Sequence, residues 1–170
     1  MQIQAGQYKG RRVKTVKNAP YRPTTSLVRK SLFDILRDIS RKSVLDLFAG
    51  SGIVGFEAAS RGAKSVTFVE SSMRVNALLK MNGALFKNTP FHYCRQDAIT
   101  FLDSCNSYDI IFADPPYRYH DTDQFVSLAL SRLNSDGILI LESSPREFPI
   151  SPFRVKDYGE TQLSFWKNEE

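Results

Sequence analysis

The run Val44-Leu-Asp-Leu-Phe-Ala-Gly-Ser-Gly-Ile-Val-Gly55 narrows the folds open to this chain more than any other stretch. A short apolar segment stops at glycines and resumes with helical spacing, the pattern of a strand, a tight turn and a helix start. Gly50, Gly52 and Gly55 permit positive φ and close approach of the backbone to a ligand, and Ser51 is the expected N-cap. The first amides of the new helix should then face something small and partly anionic. A GxGxxG is weak by itself, because the same glycines can serve a turn that holds nothing. Two later features strengthen it. Glu70 ends the strand-like run Ser65-Val-Thr-Phe-Val-Glu70, near the spacing of about 20 residues at which a carboxylate meets a ribose. Asp114-Pro115-Pro116-Tyr117 ends the apolar run 108–113, so a third unusual group sits at a strand's C-terminal edge.

From Ser43 onward strand and helix patterns alternate: strands at 43–48, 65–70, 91–94, 108–113 and 137–142, with helices at 52–60, 72–86, 98–104 and 122–133. Such βαβ repetition predicts a parallel sheet with helices on both faces. Phe153–Asp157 and Gln162–Lys167 flank Gly159 without a helix, which predicts an antiparallel hairpin and a mostly parallel sheet of seven strands. Ligands of such sheets bind beyond the C-terminal strand edges, where the strand order reverses. The glycine loop, Glu70, Asp97 and the Asp114–Tyr117 run all fall there.

Ahead of this core, residues 1–15 alternate weakly around Gly6 and Gly10, which predicts a short hairpin displaying Lys9, Arg11, Arg12 and Lys14. A loop from Asn18 to Pro23 follows. Thr24 or Thr25 then caps a helix reaching about Ile39, with Leu27, Val28, Leu32, Ile35 and Leu36 on its packing side and Arg29, Lys30 and Arg37 on the other. Residues 1–42 hold 11 Lys/Arg against 2 Asp/Glu, and the remainder 12 against 16, so a net +9 segment is attached to a net −4 body. That asymmetry suits a polyanionic partner such as RNA.

The 170 residues fit one domain: a basic extension, 1–42, packed on a catalytic core, 43–170. The longest apolar runs are too short to cross a bilayer, and the polar, basic N-terminus does not resemble a signal sequence, so a cytoplasmic protein is expected. Cys94 and Cys105 have no His at metal-ligand spacing and form no CxxC. Free thiols and no metal site are expected.

The chemistry is carried by the Asp114 run. Two prolines fix the backbone and remove amide donors, leaving carbonyls and a carboxylate as acceptors for a group that donates hydrogens. The exocyclic amine of a nucleobase fits, with Asp114 and the Pro115 carbonyl accepting its two N–H bonds and Tyr117 stacking on the ring. Bonding of this kind aims the nitrogen lone pair at an electrophile, here the methyl of S-adenosylmethionine. The glycine loop (Gly50, Gly52) would hold the methionine portion, Glu70 the ribose hydroxyls and Asp97 the adenine amine. Asp46 would lie near the methionine ammonium, although loop amides alone would also satisfy it.

Together, Asp46-Leu-Phe-Ala-Gly-Ser-Gly52 and Asp114-Pro-Pro-Tyr117 resemble the Rossmann-like class I S-adenosylmethionine-dependent methyltransferases that modify exocyclic amines of nucleobases. Arg22-Pro-Thr-Thr25 with Val28-Arg29, Leu32-Phe33 and Ile35-Leu36, and Tyr158-Gly159, Thr161 and Leu163-Ser164-Phe165, are similar more narrowly to the RsmD family. The resemblance spans nearly the whole chain. It implies methyl transfer to the exocyclic amine of a guanine in small-subunit ribosomal RNA, naked or within a small-subunit particle, and it implies that Arg22 and Thr24 lie by the cofactor or target site. The alternatives are an adenine-specific methyltransferase acting on DNA or another RNA, a nicotinamide-dependent oxidoreductase, and a non-catalytic RNA-binding module. The oxidoreductase leaves the Asp114 run without a role and expects a second mononucleotide-binding half. A pure binder has no use for that acceptor set.

Overall fold

The structure, a computed structural model, describes residues 1–18, 24–116, 119 and 121–168. Arg22, Tyr117 and most of the expected Asn18–Pro23 loop lie outside them. Seven strands form one sheet: β1 (Ser43–Leu47), β2 (Ser65–Val69), β3 (Phe91–Cys94), β4 (Tyr108–Ala113), β5 (Leu133–Ser143), β6 (Arg154–Tyr158) and β7 (Thr161–Lys167). The helices are α1 (Ser26–Leu36), α2 (Ile53–Ser60), α3 (Met73–Gly83), α4 (Ala98–Ser104) and α5 (Thr122–Leu130). The strand order is β3-β2-β1-β4-β5-β7-β6, with β1 to β5 parallel and β7 antiparallel to both β5 and β6. The expected reversal of order falls between β1 and β4.

Alternation along the strands divides the core. Leu45, Leu47, Ile111, Ala113, Leu139 and Leu141 pack with the residues of α4 and α5. Val44, Ile110, Phe112 and Ile140 pack on the other face with α1, α2 and the N-terminal segment. Every residue of α2 is buried, Glu57 included, because the N-terminal segment covers the side that the sheet does not. Gln7 N–H donates to the Ser60 carbonyl at 2.9 Å, and Tyr8 N–H to Ser60 Oγ at 2.9 Å. A Cβ at Gly6, where φ is +83°, would lie 1.9 Å from that carbonyl oxygen, so only glycine permits this approach.

Several local expectations are corrected. The N-terminal hairpin forms, with Ile3 N–H bonded to the Arg11 carbonyl and Val13 N–H to the Met1 carbonyl, both at 2.9 Å. It is reduced to one bridge, Gln2 to Arg12, rather than two strands. Thr25 caps α1, which stops at Leu36 because Arg37 turns to φ 58° and its N–H bonds the Phe33 carbonyl. Ser51 is not the N-cap of α2; Gly52 holds that position in the left-handed region at φ 78° and without a side-chain bond. The helix expected at 122–133 ends at Leu130, and β5 begins at Leu133, where it pairs with Tyr108 before a register shift.

Candidate functional site

The glycine loop links the end of β1 to α2, and the amides of its three glycines are engaged within the chain. Gly50 N–H donates to Glu70 Oε2 at 3.1 Å, Gly52 N–H to the Ala49 carbonyl at 2.8 Å and Gly55 N–H to Asp46 Oδ2 at 3.0 Å. An anion at this loop would therefore rest on its other amides. A pyrophosphate would find those three donors engaged and two carboxyl groups beside them, which counts against the nicotinamide reading. The acceptor-rich lining suits a ligand that is cationic and rich in donors. S-adenosylmethionine, with an ammonium, a sulfonium, ribose hydroxyls and an adenine amine, has that chemistry.

Asp46 is buried, and desolvation pushes its carboxyl well above the ordinary carboxylate range. The Gly55 N–H opposes the shift and the charge of Glu70 adds to it. Glu70 is held from both sides, since its Oε1 also accepts from Ser72 N–H at 2.9 Å. Gly50 and Phe48 both adopt positive φ, 54° and 57°, and a positive φ at a phenylalanine marks a backbone held by its surroundings. Phe48 meets Tyr119 edge to face at 5.3 Å. Burial, with Asp97 and Asp121 nearby, pushes the Tyr119 phenol up to about 12, leaving it a neutral donor beside the loop. Asp97 is exposed and caps α4, with Oδ1 accepting from Thr100 N–H at 3.1 Å. It stands at the C-terminal edge as expected, but in a capping role.

Two clefts meet at Asp114. One, of about 310 Å³ counting the open solvent at its mouth, is lined by Thr24, Asp46, Phe48, Gly50, Ser51 and Asp114 among others. The other, of about 490 Å³ on the same basis, is lined by Asp114, Pro115, Pro116, Glu142, Arg146 and Thr161 among others. Thr24 ties the two together: buried, it donates its hydroxyl to Glu142 Oε2 at 2.8 Å. Thus Asp46, Gly50, Thr24 and Asp114 are brought together from separate parts of the sequence. Glu142 had escaped notice, although it follows the apolar run Gly137–Leu141 as Asp114 follows its own run. A carboxylate ending a buried parallel strand was the available signal.

The basic residues divide. Arg12 and Lys14 are exposed. Arg11 is exposed too, yet its guanidinium lies 4.7 Å from the Tyr8 ring centre and donates to the Leu85 carbonyl, so it also fastens the hairpin. Arg29 is corrected outright: it is 3% exposed, sits 3.5 Å from Glu57 Oε2 and donates to the Gln2 carbonyl at 2.8 Å. It is a structural cation beneath the hairpin rather than part of an outer face. Asn82, also buried, accepts Lys14 N–H at 3.0 Å and donates to the carbonyls of Lys14 at 2.9 Å and Ser51 at 3.3 Å. One side chain thereby joins the hairpin to the glycine loop. Among the described residues, no cluster of His, Cys, Asp and Glu could hold a metal, and no helix is long and apolar enough to cross a membrane.

Comparison with known proteins bears on the fold and the family. Ribosomal RNA small subunit methyltransferase D of Escherichia coli (strain K12) is 35% identical over 147 residues, covering 84% of this chain and 74% of the relative. The solved structure of the Escherichia coli protein yhhF superimposes with a TM-score of 0.87 at 31% identity, over 99% of this chain and 98% of that one. At the level of fold alone, SMU.776, solved as a complex with SAH, matches with a TM-score of 0.68 at 17% identity, over 83% of this chain and 48% of that one. The model of the family described as Conserved hypothetical protein 95 matches residues 1–167. Matched along almost its entire length, the chain belongs to that family, the RsmD family.

Proposed function

We propose that this protein transfers the methyl group of S-adenosylmethionine to the exocyclic amine of a guanine in small-subunit ribosomal RNA. The observation that carries the reading is the place of Asp114 on the wall shared by the two clefts. A group in the 310 Å³ cleft and one in the 490 Å³ cleft would meet at this carboxylate.

Asp46, Gly50 and Glu70 would hold the cofactor, which supplies an electrophilic methyl group when bound. Asp46 would lie by the ammonium and Glu70 by the ribose. Asp114 and the Pro115 carbonyl accept the two N–H bonds of the target amine, turning its lone pair toward the methyl. As the new N–C bond forms, the amine becomes acidic and Asp114 takes its proton. The sequence assigns Tyr117 to stacking on the base and the family resemblance assigns Arg22 to the cofactor or target, while Arg11, Arg12 and Lys14 would contact phosphates. The RNA is met within a small-subunit particle or free of it.

The test is incubation with labelled S-adenosylmethionine and small-subunit particles or naked ribosomal RNA from a strain lacking the enzyme, followed by nucleoside analysis. Label in N2-methylguanosine is expected. Label in methyladenosine would support the adenine-specific alternative, and no label in either substrate would remove the enzymatic reading.

A further inference from the structure

The 490 Å³ cleft contains a second carboxylate that methyl transfer does not use. Ala113 of β4 pairs in parallel register with Leu141 of β5, so one residue further on Asp114 and Glu142 leave neighbouring strands, whose backbones are about 5 Å apart. Ala113 and Leu141 point into the core beneath α4 and α5. By alternation Asp114 and Glu142 both project to the opposite face, where Thr24 holds Glu142 and where both line the cleft. Glu142 is 8% exposed and lines the cleft, and a carboxylate can accept several hydrogen bonds at once.

Two acceptors side by side select among the bases. Adenine and cytosine present an exocyclic amine next to a ring nitrogen that is an acceptor, whereas guanine presents its amine next to a ring N1–H donor. With the amine on Asp114, a carboxylate beside it welcomes N1–H and opposes a ring lone pair. Arg146, held by Asp123 at 3.0 Å and lying 4.9 Å from the Phe148 ring centre, brings to the same cleft the kind of donor that guanine O6 requires.

We propose that Glu142 accepts the N1–H of the target guanine and is the residue by which this site takes guanine and refuses bases with an acceptor at that position. The inference rests on the reading of Asp114 as the amine acceptor.

The experiment compares ribosomal RNA carrying guanine at the target position with the same RNA carrying 2-aminopurine there. The analogue keeps the 2-amino group but replaces N1–H with a lone pair. Its missing O6 is the same for every enzyme variant and cancels when variants are compared. Wild type should favour guanine by at least about 10²-fold in kcat/KM, since a site built for an N–H strongly refuses the analogue without one. Glu142→Gln can turn its NH2 toward the analogue, so it should raise kcat/KM on 2-aminopurine by about tenfold or more while losing activity on guanine. Glu142→Ala should narrow the ratio by lowering guanine turnover alone. A side chain that merely supported the fold could not raise turnover of the analogue. A guanine preference equal to wild type in Glu142→Gln, with normal S-adenosylmethionine binding, overturns the proposal even if Glu142→Ala does not fold. Failure of wild type to methylate the guanine RNA overturns the underlying reading instead, and the proposal with it.

Discussion

If Asp114 accepts the target amine as proposed, one oxygen of its side chain sets the rate. Asp114→Asn replaces an acceptor with an NH2 that opposes the donors of the substrate amine. Loss of one preorganised electrostatic contact costs about 10² to 10³ in rate. The variant should fold and bind S-adenosylmethionine, with single-turnover methyl transfer slowed by at least about a hundredfold; transfer at the wild-type rate would assign the amine to other residues. Asp46 makes a prediction about pH. Its raised pKa means that the free protein still holds the proton above the ordinary carboxylate range. The folded state therefore binds more protons than the unfolded chain there, and this residue's contribution to stability is lost as pH rises toward the folded value. A bound ammonium favours the ionised form, so calorimetric affinity for S-adenosylmethionine should rise with pH through that value and then level off, and Asp46→Asn should flatten the profile. The places of Asp46, Glu70 and Asp114 around the ends of the strands were legible because each interrupts or ends an apolar run. Arg29 was not, since no periodicity within α1 reveals that Glu57 waits beneath it.

Among the elements, α2 depends on a partner that its own residues do not announce. Glu57, fully buried, accepts the N–H groups of Gln4 at 2.8 Å and Ala5 at 3.0 Å and pairs with Arg61 at 2.9 Å as well as with Arg29. Removing it strands two buried or half-buried cations and two amides. Breaking such a buried pair costs roughly 3–5 kcal/mol, and Glu57→Ala should lose about that much in urea unfolding, whereas Lys30→Ala, at an exposed pair with Asp34, should change little. The alternation of strand and helix was readable throughout, because apolar runs closed by polar or glycine residues report burial directly. Boundaries were less so. The early start of β5 is set by pairing with β4, and the end of α1 by the positive φ of Arg37, neither of which leaves a local mark.

The molecule as a whole is divided in charge, with net +9 in residues 1–42 and net −4 in the rest. Each phosphate neutralised contributes roughly 0.7 to 0.9 to the slope of log affinity against log salt. Arg12→Ala with Lys14→Ala should therefore flatten the salt dependence of RNA binding by about 1.4 to 1.8, and an unchanged slope would mean that the hairpin faces solvent. Asn82 carries this division into the thermodynamics of the complex. Because its amide grips the Lys14 backbone on one side and the Ser51 carbonyl on the other, a cofactor at the loop and RNA on the hairpin are expected to influence each other's binding. Whatever factor the cofactor lends to RNA affinity, RNA must return to the cofactor, by the closure of the binding cycle. In titrations of each ligand with and without the other, Asn82→Ala should bring both factors toward one together, so that a single buried amide would set how far the two substrates bind as a pair.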